Sequence, residues 1–351
     1  MKKTLIALAA VAATSAFAQS SVTLYGRLDA GIAAGKTTLE NNGVTTDTNN
    51  NGVMSHNSVS SYWGIKGSED LGGGMKANFK LEQDLFPATG NLGVTGASGG
   101  NTNTASFNRT SLVGIQGAFG AIDIGRDYNP MFSVAAASDV FGLSRLSTVG
   151  LAGNVGSTID RQVIYTSPNF GGFTGKLSTG HTDMTGVFTH NAHASGVYAN
   201  GPLYIGLGLG NMEAQPSAGG QTTKTEGSAL TVTYDFGVAK LYVGHITKKV
   251  TQNDKAGAAD NTETNLGVNV PFGKLAVQAV YGRNTQKNDT AGATAEDRSG
   301  NDWGLGVTYD LSKRTTAFAK TGVVNKLDGT QAGLTYNSKY TETNVGIRHV
   351  F

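Results

Sequence analysis

The chain contains no cysteine, which excludes disulfide scaffolds, thiol nucleophiles and cysteine-based zinc sites. Proline is scarce, with 6 in 351 residues. The hydrophobic fraction is 38%. Soluble domains usually reach ~45–50%, a range that counts glycine as apolar. Beyond the first eighteen residues, no run approaches the ~18 apolar residues of a membrane-spanning helix. Only helices and closed β-barrels satisfy their backbone in lipid. A membrane reading of this chain therefore has to be a barrel.

The first residues are different. Met1-Lys2-Lys3 precedes an apolar run from Thr4 to Ala13, and then Ala16-Phe17-Ala18. A basic start, a short apolar stretch and small residues at the cleavage site make residues 1–18 a secretory signal peptide. Residues 19–351 are then the mature domain. Removing the leader takes Lys2 and Lys3 and no acid, so the 27 Lys and Arg fall to match the 25 Asp and Glu. This balance gives no reason to expect nucleic acid as a partner. What the chain has in abundance is glycine, 50 residues, roughly twice the average share of ~7%.

Period-two alternation runs through the mature chain. Val22, Leu24, Leu28 and Ile32 oppose Thr23, Tyr25, Arg27 and Asp29, and Met75, Phe79 and Leu81 oppose Lys76, Lys80 and Glu82. Trp303, Leu305 and Val307 oppose Asp302, Gly304 and Gly306. The last stretch, Tyr340 to Phe351, alternates in the same way and ends on an aromatic residue, as the closing strand of a barrel would. About sixteen such segments of roughly 9–13 residues can be traced, the length of membrane-barrel strands. Their connectors alternate between short turns such as Asp70–Gly73, Asp235–Gly237 and Pro271–Gly273 and long Asn/Thr/Gly-rich loops such as 35–57, 87–104 and 285–300. The fold expected is all-β, a transmembrane antiparallel barrel of about 16 strands with turns on one side and loops on the other.

With the apolar face on lipid, Arg27, Lys66, Lys80, Glu82 and Arg348 line the inside. Burying that many charges without water costs several kcal/mol each, roughly. About sixteen strands enclose an aqueous channel instead. The segment 128–158 is richer in apolar residues than the other long loops. It is expected to pack against the inner wall and narrow the lumen, with Asp139 and Arg145 bordering the narrow point. Faint helical spacing appears between Pro130 and Leu146.

Several pieces together resemble the Gram-negative general porins, most closely those of beta-proteobacteria. They are Ser21-Val-Thr-Leu-Tyr-Gly26, Gly67-Ser-Glu-Asp-Leu-Gly72, Phe119-Gly-Ala-Ile-Asp-Ile-Gly-Arg126, Tyr165-Thr-Ser-Pro-Asn-Phe-Gly171 and the terminal Phe351. The resemblance spans the mature chain and implies a homotrimer of sixteen-stranded barrels in outer-membrane lipid. It also implies an infolded third loop, passive diffusion of ions and small hydrophilic solutes, and basic residues facing acids on that loop. Arg27 and Arg109 match basic lumen positions, and Tyr62 stands where related porins often have arginine. Asp139 matches the acid of the infolded loop. Arg126 shares parity with Ile122 and Ile124 and is assigned to the subunit contact. Arg109 shares parity with Val113 and Ile115, which by alternation alone would place it on lipid; the resemblance places it in the lumen. Arg161 stays unassigned.

Motifs suggestive of chemistry lack their context. Gly96-Ala-Ser-Gly-Gly100 lies in a loop rather than on a strand-to-helix elbow. Gly206-Leu-Gly-Leu-Gly210 is strand glycine with no helix following it. Asp235-Phe-Gly237 is a turn, and His190 and His193 have no carboxylate cluster beside them. No metal, cofactor or enzymatic activity is expected. An adhesin or receptor acting through the loops and an outer-membrane barrel enzyme are the other classes compatible with this architecture. Basic candidates outnumber acids at the constriction, which leans weakly to anion preference.

Overall fold

The computed structural model describes residues 21–92, 106–150, 157–184, 187–216, 222–252, 259–288, 296–331 and 333–351. The leader and Gly96–Gly100 fall outside these. The elements in order are β1 (Ser21–Asn41), β2 (Val44–Ser55), β3 (Tyr62–Gly72), β4 (Met75–Phe86), β5 (Asn91–Leu92), β6 (Thr110–Gly117), β7 (Gly120–Tyr128), α1 (Pro130–Ala136), β8 (Thr158–Thr166) and β9 (Phe173–Met184). They continue with β10 (Val187–Asn200), β11 (Leu203–Pro216), β12 (Thr223–Asp235), β13 (Lys240–Gln252), β14 (Ala259–Phe272), β15 (Leu275–Asn288), β16 (Glu296–Asp310), β17 (Thr315–Gln331) and β18 (Leu334–Val350).

Neighbours in the wall pair antiparallel, and β18 returns to β1 in unbroken register from Arg27↔Val350 to Asn41↔Tyr336. The two-residue β5 pairs only with β4. β2 and β3 share one position, because the upper part of β1 pairs with β2 and the lower part with β3. The wall is therefore a closed ring of 16 strands. Closure leaves the described wall without an open edge, which is what lipid demands. The backbone seals the seam to its end: Phe351 N donates to Gly26 O at 3.0 Å, and Gly26 N donates to Phe351 O at 3.1 Å.

The two faces divide as the alternation predicts. Leu24, Leu207, Leu305 and Val345 point out and are exposed, whereas Asp29, Asp302, Lys320 and Glu342 point in. The long loop expected over 35–57 proves to be mostly strand. β1 and β2 meet at a tight turn, Asn42-Gly43, with both residues at positive φ. Thr and Asn there pair as a sheet beyond the apolar band, where both faces meet water and no hydrophobic alternation marks them.

Between β2 and β3 the chain leaves the wall over 56–61 and bends inward. Asp29 holds this detour, accepting from Asn57 N at 2.7 Å, Ser58 N at 3.0 Å and Val59 N at 3.1 Å. The segment after β7 also turns inward. Asn129 caps α1, its side chain accepting from Phe132 N at 2.7 Å, and Pro130 opens the helix. α1 then seats on the inner faces of β10 to β12. A Cβ at Gly208 would lie 2.7 Å from Met131 Cα and one at Gly206 would lie 3.0 Å from Val134 Cγ1, so these strand glycines leave the room the helix occupies. Met131, Val134 and Ala135 are buried with Ala229 and Ile246. Farther on, Phe141 and Leu146 are buried with Val280 and Val324. The apolar core of this protein is thus the infolded loop against the wall.

Candidate functional site

The narrowed lumen has a basic and aromatic wall on β1, β3, β4 and β6. Thr23, Tyr25, Arg27 and Asp29 of β1 pair across to β3, β18 or the detour, and Tyr62 and Lys66 face the same way on β3. The rings and cations interleave. Arg27 lies 5.0 Å from the Tyr62 ring centroid and Arg109 4.5 Å from it, while Tyr25 meets Tyr62 edge-on at 6.2 Å. Lys66 Nζ stands 5.0 Å from the centre of the Tyr25 ring. Tyr62, where arginine was the alternative, serves as a shared face for two guanidinium groups.

The cations differ in how far they are compensated. Arg109 Nη1 donates to Asp84 Oδ1 at 2.7 Å, and its Nε lies 3.6 Å from Glu82 Oε2. Lys80 Nζ reaches Glu82 Oε1 at 3.0 Å, and Tyr25 OH donates to the same oxygen at 2.7 Å. Arg27 instead donates to the carbonyl of Ser60 at 2.6 Å. Among the described residues, neither Arg27 nor Lys66 has a carboxylate within ion-pair distance. Of the four cations Arg27, Lys66, Lys80 and Arg109, these two are the ones without a carboxylate partner.

Arg109 points into the lumen although strand parity would send it outward. β6 begins only at Thr110, and Phe107 just before it has a φ of 56°, so alternation does not extend back to Arg109. Its guanidinium also lies 5.5 Å from the centre of the Tyr128 ring, which stacks on Phe132 of α1 at 5.3 Å. The basic wall thereby touches the root of the infolded loop.

The two loop residues expected at the narrow point are placed otherwise. Asp139 is turned into its own loop, accepting from Phe141 N at 2.8 Å, Leu143 N at 2.6 Å and Ser147 Oγ at 2.6 Å, and is 7% exposed. Backbone N–H donors of the irregular turn that follows α1 claim the carboxylate, so it organises the loop rather than facing the lumen. Arg145 anchors the loop to the far wall. Its Nε donates to Glu342 Oε2 at 2.7 Å and its Nη2 to Tyr340 OH at 2.6 Å. Glu342 beside it, together with Tyr340, pushes the pKa of Arg145 above its ordinary value despite burial, which by itself lowers it. Lys320 is a further staple, donating to Ser58 O at 3.2 Å and Phe141 O at 3.3 Å, and so joins the detour to the loop.

Arg126, paired opposite Ser111, borders a cavity together with Asp84, Arg109, Tyr128 and Phe132, because Gly125 at positive φ and a register slip interrupt the alternation that would have sent it outward. It is not bare. Its guanidinium donates to Asp160, to Asn108 O at 2.6 Å and to Thr158 Oγ1 at 2.6 Å, so acceptors of its own chain already match it. Arg161 sits at positive φ where the β7–β8 register slips, which explains why alternation gave it no face. His190 is exposed and His193 buried, on opposite faces of β10. Sequence reasoning placed Glu82 on the inner face but did not join it to the constriction, and it missed Tyr25, Asp84 and Tyr128. The signal for two of these was present: Tyr25 shares parity with Arg27, and Asp84 shares it with Lys80.

Comparisons with known proteins agree with this architecture. The family model described as Gram-negative porin matches residues 4–345. Outer membrane porin protein 32 of Delftia acidovorans is 32% identical over the full length of both chains. The major outer membrane protein P.IB of Neisseria lactamica is 30% identical, again over the whole of both. The anion-selective porin from Comamonas acidovorans superposes with a TM-score of 0.73 at 27% identity, covering 95% of this chain and 100% of the other. OmpF of Salmonella typhi, at 14% identity and a TM-score of 0.66, shares the fold. With its closed sixteen-stranded wall and a family match that runs almost from end to end, this outer-membrane chain belongs to the Gram-negative porins.

Proposed function

We propose that the protein is a passive diffusion channel for ions and small hydrophilic solutes, with a preference for anions set by Arg27 and Lys66. The observation that carries this is the asymmetry of the lumen wall. Glu82 and Asp84 offset Lys80 and Arg109, whereas Arg27 and Lys66 are left without a carboxylate. Fixed charge at a narrow aqueous passage biases which ion enters. The relative from Comamonas acidovorans, described as anion-selective, supports the same reading. Tyr62 and Arg109 act beneath these cations as platform and spacer. Asp139 and Arg145 act on the width of the passage through the loop they hold. No step of this function forms or breaks a covalent bond.

Reversal potential in planar bilayers under a salt gradient tests the proposal. The expected sign is anion-selective, and Arg27→Gln should lower the anion-to-cation permeability ratio. A unit charge contributes about 0.6 kcal/mol to an ion ~7 Å away in water, so the ratio should fall roughly threefold once salt screening is allowed for. A cation-selective wild-type channel, or an Arg27 variant with an unchanged ratio, defeats the assignment.

Residues 1–18 are read as a cleaved leader, and intact-mass measurement of the mature protein should begin at Gln19. The chain is also read as a homotrimer. On β7 and β8 the outward apolar rows, Ile122 and Ile124 beside Tyr165 and Val163, give way to the exposed Asp160, which is bonded to Arg126, and to Arg161. On β11, by contrast, Ile205, Leu207 and Leu209 all remain apolar. Arginine facing lipid costs ~2–4 kcal/mol at midplane, so a neighbouring subunit is the better cover for this patch. Arg126→Leu should leave the barrel folded. If the patch is buried between subunits, the variant should shift unheated gel mobility from trimer toward monomer; an unaltered trimer would remove this support.

A further inference from the structure

The lumen contains a second group of cations and rings, away from the constriction. On β18, Tyr336, Ser338, Tyr340 and Glu342 face inward in strict alternation, opposite Thr37 and Leu39 of β1. The first three of these border a cavity of about 320 Å³ on the loop side of the Arg145 anchor, lined also by Thr37, Leu39, Asn50 and Arg145. Each tyrosine ring carries a guanidinium: Arg145 lies 5.7 Å from the Tyr340 centroid, and Arg298 lies 4.6 Å from that of Tyr336. The acid of the group, Glu342, is fully buried beneath Arg145 and Tyr340. The surface turned to the cavity is therefore aromatic and cationic, with Leu39 as an apolar side and the Asn50 amide as a polar one. Arg145 uses Nε and Nη2 in its anchor, which leaves the Nη1 arm of the fork for a further acceptor.

We propose that this cavity is an entry subsite for aromatic carboxylates, which would pause there before reaching the Arg27 wall. A flat ring finds tyrosine faces and Leu39, and its carboxylate finds the remaining arm of the Arg145 guanidinium. The volume suits one substituted ring. An apolar cavity of about 150 Å³ already holds benzene, so the remainder accommodates the carboxylate and its water. An aliphatic carboxylate of similar charge gains the guanidinium but not the rings. The proposal rests on the channel reading above and adds a selectivity that fixed charge alone does not give.

The test is block of single-channel KCl current by potassium benzoate and by potassium acetate, added on the loop side. The wild-type protein should show half-block at a benzoate concentration about tenfold below that for acetate, the effect of ring stacking alone, since both anions gain the guanidinium. Tyr336→Leu should bring the two concentrations together. Leu39→Trp, which fills the cavity from the other strand, should do the same. Both variants are first checked for folding by heat-modifiable gel mobility. Arg27→Gln should keep the benzoate preference while lowering anion selectivity. Equal block by the two anions in a conducting wild-type channel overturns the subsite and leaves the channel reading standing. A preference that survives Tyr336→Leu and Leu39→Trp but disappears in Arg27→Gln overturns it too, by moving recognition to the constriction. A protein without KCl conductance overturns both.

Discussion

At the scale of single residues, Arg27 and Arg109 share a ring and differ in almost everything else. Arg109 is clamped by Asp84 and approached by Glu82, and its side chain is 12% exposed. Replacing it with Gln leaves two buried carboxylates short of a partner. Breaking a buried pair typically costs ~3–5 kcal/mol. Glu82 keeps Lys80 and Tyr25, so about 2–3 kcal/mol is expected for Arg109→Gln, read as a lowered midpoint of urea unfolding in micelles. Arg27→Gln should move that midpoint far less, because it loses a bond to one carbonyl and a ring contact. Equal midpoints for the two variants would contradict the division between a structural and an electrostatic arginine. The sequence showed which side chains of β1, β3 and β4 face inward, because strict alternation holds there. It did not show Arg109 by alternation, because a positive-φ residue breaks the strand immediately upstream. Nor did it show the role of Asp139, since nothing in a residue's identity tells whether a carboxylate faces water or its own backbone.

At the scale of elements, the infolded segment is fastened by several unlike devices: the Asn129 cap, the Asp139 turn, the Arg145–Glu342 pair and the close seat of α1 on glycine strands. Its presence inside was legible from the excess of apolar residues over 128–158, and its short helix from faint periodicity after Pro130. The strands beyond the membrane were not legible, because Thr and Asn with water on both faces carry no alternation. Two variants should release the loop by different routes. Asp139→Ala orphans two backbone donors, at about 1–3 kcal/mol each. Gly208→Val drives a side chain into the Met131 backbone. Both are expected to raise single-channel conductance and admit larger sugars in liposome swelling, with far-UV circular dichroism unchanged. A conductance and size limit identical to wild type in both would mean that the loop does not set the passage.

At the scale of the whole molecule, stability resides in ring closure and in the polar wall rather than in a central apolar core. The seam ends with the paired backbones of Gly26 and Phe351. Deleting Phe351 removes both of those bonds and an outward aromatic ring at the rim, so the yield of refolded, heat-modifiable barrel should fall severalfold, at a cost of about 2–3 kcal/mol. A full yield would show that the rest of the β1–β18 ladder is sufficient. The infolded segment bears on the same question of assembly. It leaves the wall after β7, yet most of the surfaces that receive it, from the glycines of β11 to Lys320 and Glu342, lie later in the chain. Its docking must therefore be a late event in maturation, and any incompletely closed precursor presents a wider and less discriminating hole than the finished protein.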